Sequence, residues 1–204
     1  MRDGIDAPER DVVEELVKKA QKGDAAAFAG LYEHFYAKMH RYVSFKMGNA
    51  NEAEDVTEDV FLRMLDSISS FKWQGYPFSS WLFRIAHNLV VDYFRKKGRQ
   101  KTALLDDATG IIGATSYDLY RNLDVNLSIN EVNEAISRLT NLQQEVLSLR
   151  FAGGLSVRET ADAVGKNENA VKALQHAGIK KLRQLLGAAQ EATAEQATMM
   201  ESAR

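Results

Sequence analysis

The chain has 204 residues, 45% of them hydrophobic, and 26 Lys+Arg against 28 Asp+Glu leave a formal net charge of -2, so it is ordinary globular material for one large or two small domains. It contains no cysteine, which excludes disulfides and thiolate zinc sites and fits a reducing compartment. No apolar run in the sequence nears the ~18 residues of a membrane span, and the charged start MRDGIDAPERD lacks the apolar core of an export signal, so a cytoplasmic protein without membrane insertion is expected.

Pro occurs only twice and a 3.6-residue rhythm dominates, so the expected class is all-α: two small helical domains joined by a flexible acidic linker. Residues 11–21 read as a short amphipathic helix. Asp24 then caps a helix over 25–47, with Phe28, Leu31, Tyr32, Phe35, Met39, Tyr42 and Val43 as its core stripe. Asn51 with Glu54 resembles a capping box and opens a helix to about Ser67, with Ala53, Val56, Val60 and Met64 inward and Glu54, Asp55, Glu58 and Asp59 outward. Gly75 and Pro77 break the chain over 69–78, and the next helix is expected over 79–97. These elements make a first domain over 10–99.

Residues 100–128 have weak periodicity and read as the linker. The second domain, over 129–186, resumes with a helix at 129–139, and Thr140 with Gln143 forms a capping box for the next. Gly153 and Gly154 stop that helix, Ser156 with Glu159 caps a short one, Gly165 closes it, and Asn167 or Glu168 opens a longer helix to about Leu186. Two helices joined by a short turn containing Gly are a helix-turn-helix signature. The Ala/Glu/Gln-rich tail, 187–204, is expected to be disordered.

Charge is segregated along the chain. Between Asn49 and Asp66, Glu52, Glu54, Asp55, Glu58, Asp59 and Asp66 face only Arg63, whereas Ser80 to Lys101 sets Arg84, Arg95, Lys96, Lys97, Arg99 and Lys101 against Asp92. Such blocks cancel in the total yet meet different partners. Six aromatics, Phe71, Trp73, Tyr76, Phe78, Trp81 and Phe83, lead directly into that basic helix. Rings beside a basic track suit unpaired nucleic acid, which stacks its bases and follows the charge with its phosphates; Phe71, Trp81 and Phe83 are equally well core, and Trp73 and Tyr76 are the residues expected at the surface. On the second helix of the helix-turn-helix, Glu168, Asn169, Lys172, Gln175, His176 and Ile179 remain exposed if Val171, Leu174, Gly178 and Leu182 pack inward. The scattered histidines form no HExxH pair, and no phosphate loop or nucleophile elbow occurs, so neither an enzyme nor a metal or cofactor site is expected.

The stretches AFAGLYEHFYAKMHRYV, NEAEDVTEDVFLRML, SFKWQGYPFSSWLFRIAHNLVVDYFRKKGR and LTNLQQEVLSLRFAGGLSVRETADAVGKNENAVKALQHAGIKKLRQLL together resemble the bacterial sigma-seventy family, in its small two-domain extracytoplasmic-function (ECF) group. The resemblance implies that Asp55, Glu58, Asp59 and Leu62 dock on the clamp helices of core RNA polymerase. It gives the opening of the minus-ten element and capture of an unpaired base to Lys72, Trp73, Tyr76, Arg84, His87, Asn88, Arg95, Lys96 and Lys97. Ser156, Arg158, Asn167, Glu168, Asn169, Lys172, Gln175 and His176 would read the minus-thirty-five element, and their domain would grip the polymerase flap. The implied partners are therefore core RNA polymerase, promoter DNA in double- and single-stranded form, and an anti-sigma factor. Two departures from the family pattern stand out: His87 replaces the Arg of a common IARN motif, and Ala173, Leu174 and Ala177 replace the Ser, Arg and Arg of VKSRLHRA. A stand-alone helix-turn-helix regulator, which would bind DNA tightly without polymerase, is the alternative from another class.

Overall fold

The computed structural model describes residues 7–47, 49–73, 75–102 and 129–202. Among these, every regular element is helical: α1 (Ala7–Ala20), α2 (Ala25–Met47), α3 (Ala50–Ser67), α4 (Phe78–Thr102), α5 (Ile129–Ser137), α6 (Asn141–Leu147), α7 (Val157–Val164) and α8 (Glu168–Ser202). The all-α expectation holds. The linker expected over 100–128 lies outside the described residues beyond Thr102.

Local chemistry explains most boundaries. Thr140 and Ser156 each accept from the backbone N–H three residues on, while Gln143 and Glu159 reach back to the cap, so both expected capping boxes are present. Gly165 ends α7 at φ 65, the left-handed conformation that favours glycine. Three expectations need correction. The cap of α3 is Asn49, not Asn51: Asn49 is extended and its side chain accepts from the N–H groups of Asn51 and Glu52. The chain after α6 does not stay α-helical but widens into a π turn at Ser148–Ala152. The disordered tail expected from 187 is instead a continuation of α8 to Ser202, consistent with the high helix propensity of Ala, Glu and Gln.

Helices α1–α4 enclose the largest core, built on Leu31, Phe35, Met39, Tyr42, Val60, Met64, Phe78, Leu82 and Phe83. That core also takes in Leu149 and Leu155 from the second half of the chain. In return Phe45 of α2 joins the cluster of Val132, Ile136, Leu147, Phe151, Leu182 and Leu186. A third cluster, Val146, Ala161 and Val171, ties α6 to the helix-turn-helix. The two halves thus share buried apolar surface, which a reading of separate periodic segments does not reveal.

Gly153 lies at the join. A Cβ there would come 2.7 Å from Phe83 Cε1 and 2.9 Å from the Leu149 carbonyl oxygen, so the close approach depends on a bare backbone. Gly153→Ala is expected to cost about 1–3 kcal/mol by overpacking, read as a lower urea midpoint; an unchanged midpoint would contradict this packing.

Candidate protein and nucleic-acid interfaces

Helix α3 presents the acidic face that its pattern predicts. Ala53, Val56, Val60 and Met64 are buried, while Glu54, Asp55, Glu58 and Asp59 are exposed. Beside them Leu62 and Leu65 are 60% and 53% exposed. Carboxylates flanking two bare leucines make a surface for a basic, partly apolar protein partner.

After the 3-10 turn Ile68–Ser70 comes the aromatic loop. Phe71, Phe78 and Trp81 pack edge-on or tilted, 5.1–5.3 Å apart, with Phe71 and Phe78 buried. Trp73 stands against Phe71 at 5.0 Å yet is 40% exposed, and Tyr76 is 51% exposed. Trp73, Tyr76 and Phe78 line a cavity of about 230 Å³ together with Val13, Glu14, Gly75, Pro77, Ser79 and Glu159. Lys72, the residue before Trp73, is exposed.

The residues expected to read DNA from α4 do not share one environment. Asn88, Arg95 and Lys96 are exposed, with Arg95 donating to Asp92 at 2.7 Å. Lys97 instead turns back to α3, donating to both oxygens of Glu52 at 2.9 and 3.1 Å and to Tyr93 Oη at 3.0 Å. Those bonds pull the Glu52 carboxyl below its ordinary pKa and raise that of Lys97. Arg84 donates to the Asp162 carbonyl of α7, and His87 faces α6, its Nδ1 3.0 Å from Glu145 Oε1.

Glu145 is the residue that sequence reading missed. It is 5% exposed, and Tyr42 Oη donates to its Oε1 at 2.7 Å while Lys46 Nζ donates to its Oε2 at 2.9 Å. Burial alone would raise the Glu145 pKa; His87 and Lys46 outweigh it and hold the group at about 2. Burial, then the Glu145 charge, pushes the Tyr42 hydroxyl well above its usual range. Around this clamp Ser79 Oγ donates to Glu159 Oε1, Ser80 Oγ to the Glu159 carbonyl at 3.0 Å, Arg41 to the Ala152 carbonyl at 3.3 Å and Arg158 to the Gly75 carbonyl at 3.3 Å. A cleft of about 710 Å³, lined in part by Lys46, Arg84, His87, Asn88 and Glu145, runs alongside.

The helix-turn-helix leaves Glu168, Asn169, Lys172 and His176 exposed. Val171 and Leu182 are buried, and Gly178 admits Leu147, whose Cδ1 would lie 3.1 Å from an added Cβ. Other expected readers have local tasks: Asn167 accepts from the Ala170 N–H at 2.8 Å, Ser156 caps α7, and Gln175 accepts from Arg150 Nε at 3.0 Å. Ile179, expected outside, is half-buried against the second core.

Residues 31–100 match the Sigma-70 region 2 family and residues 129–182 the Sigma-70, region 4 family. SigW of Bacillus subtilis, an ECF RNA polymerase sigma factor, is 30% identical over 183 residues, which cover 86% of this chain and 97% of SigW. The chain belongs to the ECF RNA polymerase sigma factors. The ECF sigma factor BldN of Streptomyces coelicolor is 41% identical over 175 residues, 84% of this chain, although the match spans only 65% of BldN. CnrH, solved in complex with the cytosolic domain of CnrY, shares the fold with a TM-score of 0.64 at 22% identity, over 87% of this chain and 98% of CnrH.

In this sigma factor the Glu145 clamp therefore joins region 4 to region 2. Its carboxyl moves from an ordinary 4.5 to about 2, so its contribution is complete above pH 4.5 and is lost as pH falls toward 2. The shift corresponds to about 3 kcal/mol at most. Urea unfolding at stepped pH is expected to show that loss, and Glu145→Gln to remove its share of the pH dependence in this window while leaving that of Glu52. Identical pH profiles for the two proteins would contradict the assignment.

Proposed function

We propose that this sigma factor binds core RNA polymerase through the acidic face of α3, reads the minus-ten element with the aromatic loop and α4, and reads the minus-thirty-five element with α8. The observation that carries the reading is the separation of surfaces. Asp55, Glu58, Asp59 and Leu62 are exposed on one helix; Lys72, Trp73, Tyr76, Asn88, Arg95 and Lys96 on the loop and helix that follow; and Glu168, Asn169, Lys172 and His176 on the recognition helix. A helix-turn-helix offering few cations to phosphates gains little from counterion release, so tight promoter binding depends on polymerase. The chain is read as a cytoplasmic binding protein rather than a catalyst; among the described residues no helix is long and apolar enough to cross a membrane. Because CnrH was solved with a protein partner, an anti-sigma factor is a further proposed partner.

Promoter reading also requires the two regions to part. Elements centred near minus ten and minus thirty-five lie about 25 base pairs apart, or ~85 Å at the 3.4 Å rise of each strand. Here Arg158 at the head of α7 touches Gly75 of the aromatic loop, and Arg84 and His87 are held by region 4. Polymerase binding is the proposed event that separates them and releases these two side chains for DNA.

The charge-reversed double variant Asp55→Lys, Asp59→Lys tests the docking face. Both side chains are exposed, so circular dichroism should be unchanged while affinity for core polymerase falls at least about 100-fold, the scale of like-charge juxtaposition costing several kcal/mol. Retained affinity would mean that the face is merely solvated.

A further inference from the structure

The aromatic loop rests on a helix that the region 2 match does not include. Helix α1 precedes residue 31, where that match begins. It is not a loose extension: Val13, Val17 and Ala20 are buried in the first core. Gly30 of α2 lets it approach closely, since a Cβ there would lie 3.1 Å from Leu16 Cδ2. Just past its end, Gln21 Nε2 donates to the carbonyls of Ile68 at 3.0 Å and Phe71 at 2.7 Å. A single side chain of the N-terminal hairpin thus fixes the entry to the loop.

The same helix supplies Val13 and Glu14 to the wall of the 230 Å³ cavity beside Trp73 and Tyr76. Trp73, Tyr76 and Phe78 give its region 2 wall three aromatic rings, a surface suited to one flat ring system held by stacking. Besides the Tyr76 hydroxyl and the Trp73 indole N–H, its lining side chains carry polar atoms at Glu14, Ser79 and Glu159. Glu159 is committed, its Oε1 accepting from Ser79 Oγ and its Oε2 from the Ser156 N–H at 2.8 Å, and it leaves with region 4 when the regions part. Glu14 stays, because α1 is packed into region 2. Its carboxylate is engaged by Lys18 at 2.7 Å in an exposed pair, an interaction of little worth in water that a ligand can replace.

A carboxylate at this rim accepts hydrogen bonds and donates none. It favours a base carrying an exocyclic amino group and disfavours thymine, whose one N–H is flanked by two carbonyl oxygens. We infer that Glu14 is a specificity-determining residue for the unpaired base captured beside Trp73, selecting an amino-bearing base and rejecting thymine. The inference rests on the proposed base-capturing role of the loop, and deepens it by bringing in a residue outside the family-matched segment.

The test is enrichment of promoter DNA with a randomised non-template strand by reconstituted holoenzyme, sequenced before and after. The parent is expected to deplete thymine at one unpaired position by about 10-fold, within the ~1–3 kcal/mol of a good base contact. Glu14→Gln, whose amide both donates and accepts, should relax that depletion at this position alone, with core affinity and melting temperature unchanged. Trp73→Ala should flatten the position for every base through loss of stacking. If Glu14→Gln keeps the parental pattern while Trp73→Ala flattens it, the inference is overturned and the loop's role stands. If neither variant changes the pattern, both fall together.

Discussion

Taking a carboxylate out of water is costly unless cations and donors meet it, and at Glu145 a cation and a donor from the first half of the chain meet a buried carboxylate of the second. Tyr42 and Lys46 come from α2, His87 from α4, and the carboxylate itself from α6. A buried ion pair adds little stability over an apolar replacement, but a misaligned one is strongly penalised. Its effect is to fix a register. With Glu145 seated, Gly153 can close on Phe83, Leu149 and Leu155 enter the first core, and Ser79 and Ser80 meet Glu159.

That register has a functional consequence. The face of α4 nearest region 4 carries Arg84 and His87, which the proposed function assigns to promoter DNA; here Arg84 donates to the Asp162 carbonyl and His87 lies against Glu145. The acidic face of α3, with Asp55, Asp59 and Leu62, remains open to solvent. Under the proposed function, a chain in this arrangement offers its polymerase-docking surface while two side chains meant for DNA are engaged by region 4. On that proposal, segregation of charge gives the two partners different surfaces and lets one be available before the other. The net charge of -2 conceals this entirely.

How far the sequence discloses this depends on the range of the interaction concerned. Helices and caps are local, and the stripe Leu31, Phe35, Met39, Tyr42 or the Ser156/Glu159 box is visible in a dozen residues. Exposure of Trp73 and Tyr76 follows from the breakers Gly75 and Pro77, which keep the segment before α4 from continuing as helix. Asn49 and Asn51 compete for one cap, and only backbone geometry decides in favour of the first. Glu145 is invisible for a different reason: on its own helix it reads as an ordinary polar residue among Leu142, Val146 and Leu147, and its partners lie about a hundred residues away. Lys97, read as part of a basic track, is claimed by Glu52 on the neighbouring helix for the same reason. Pairings between distant segments leave no periodic trace.

In the proposed function, one chain holds region 4 against region 2 and releases it to serve a promoter. Because the sequence has no cysteine, dyes can be attached at single positions introduced at Ser70 and Lys166, both exposed. Energy transfer between them, measured free and then with core polymerase and promoter DNA, reports whether the regions part. Strong transfer is expected in the free protein and its loss in the promoter complex, as the regions move toward a separation of ~85 Å. Transfer that stays equally strong in an active promoter complex would contradict the proposal.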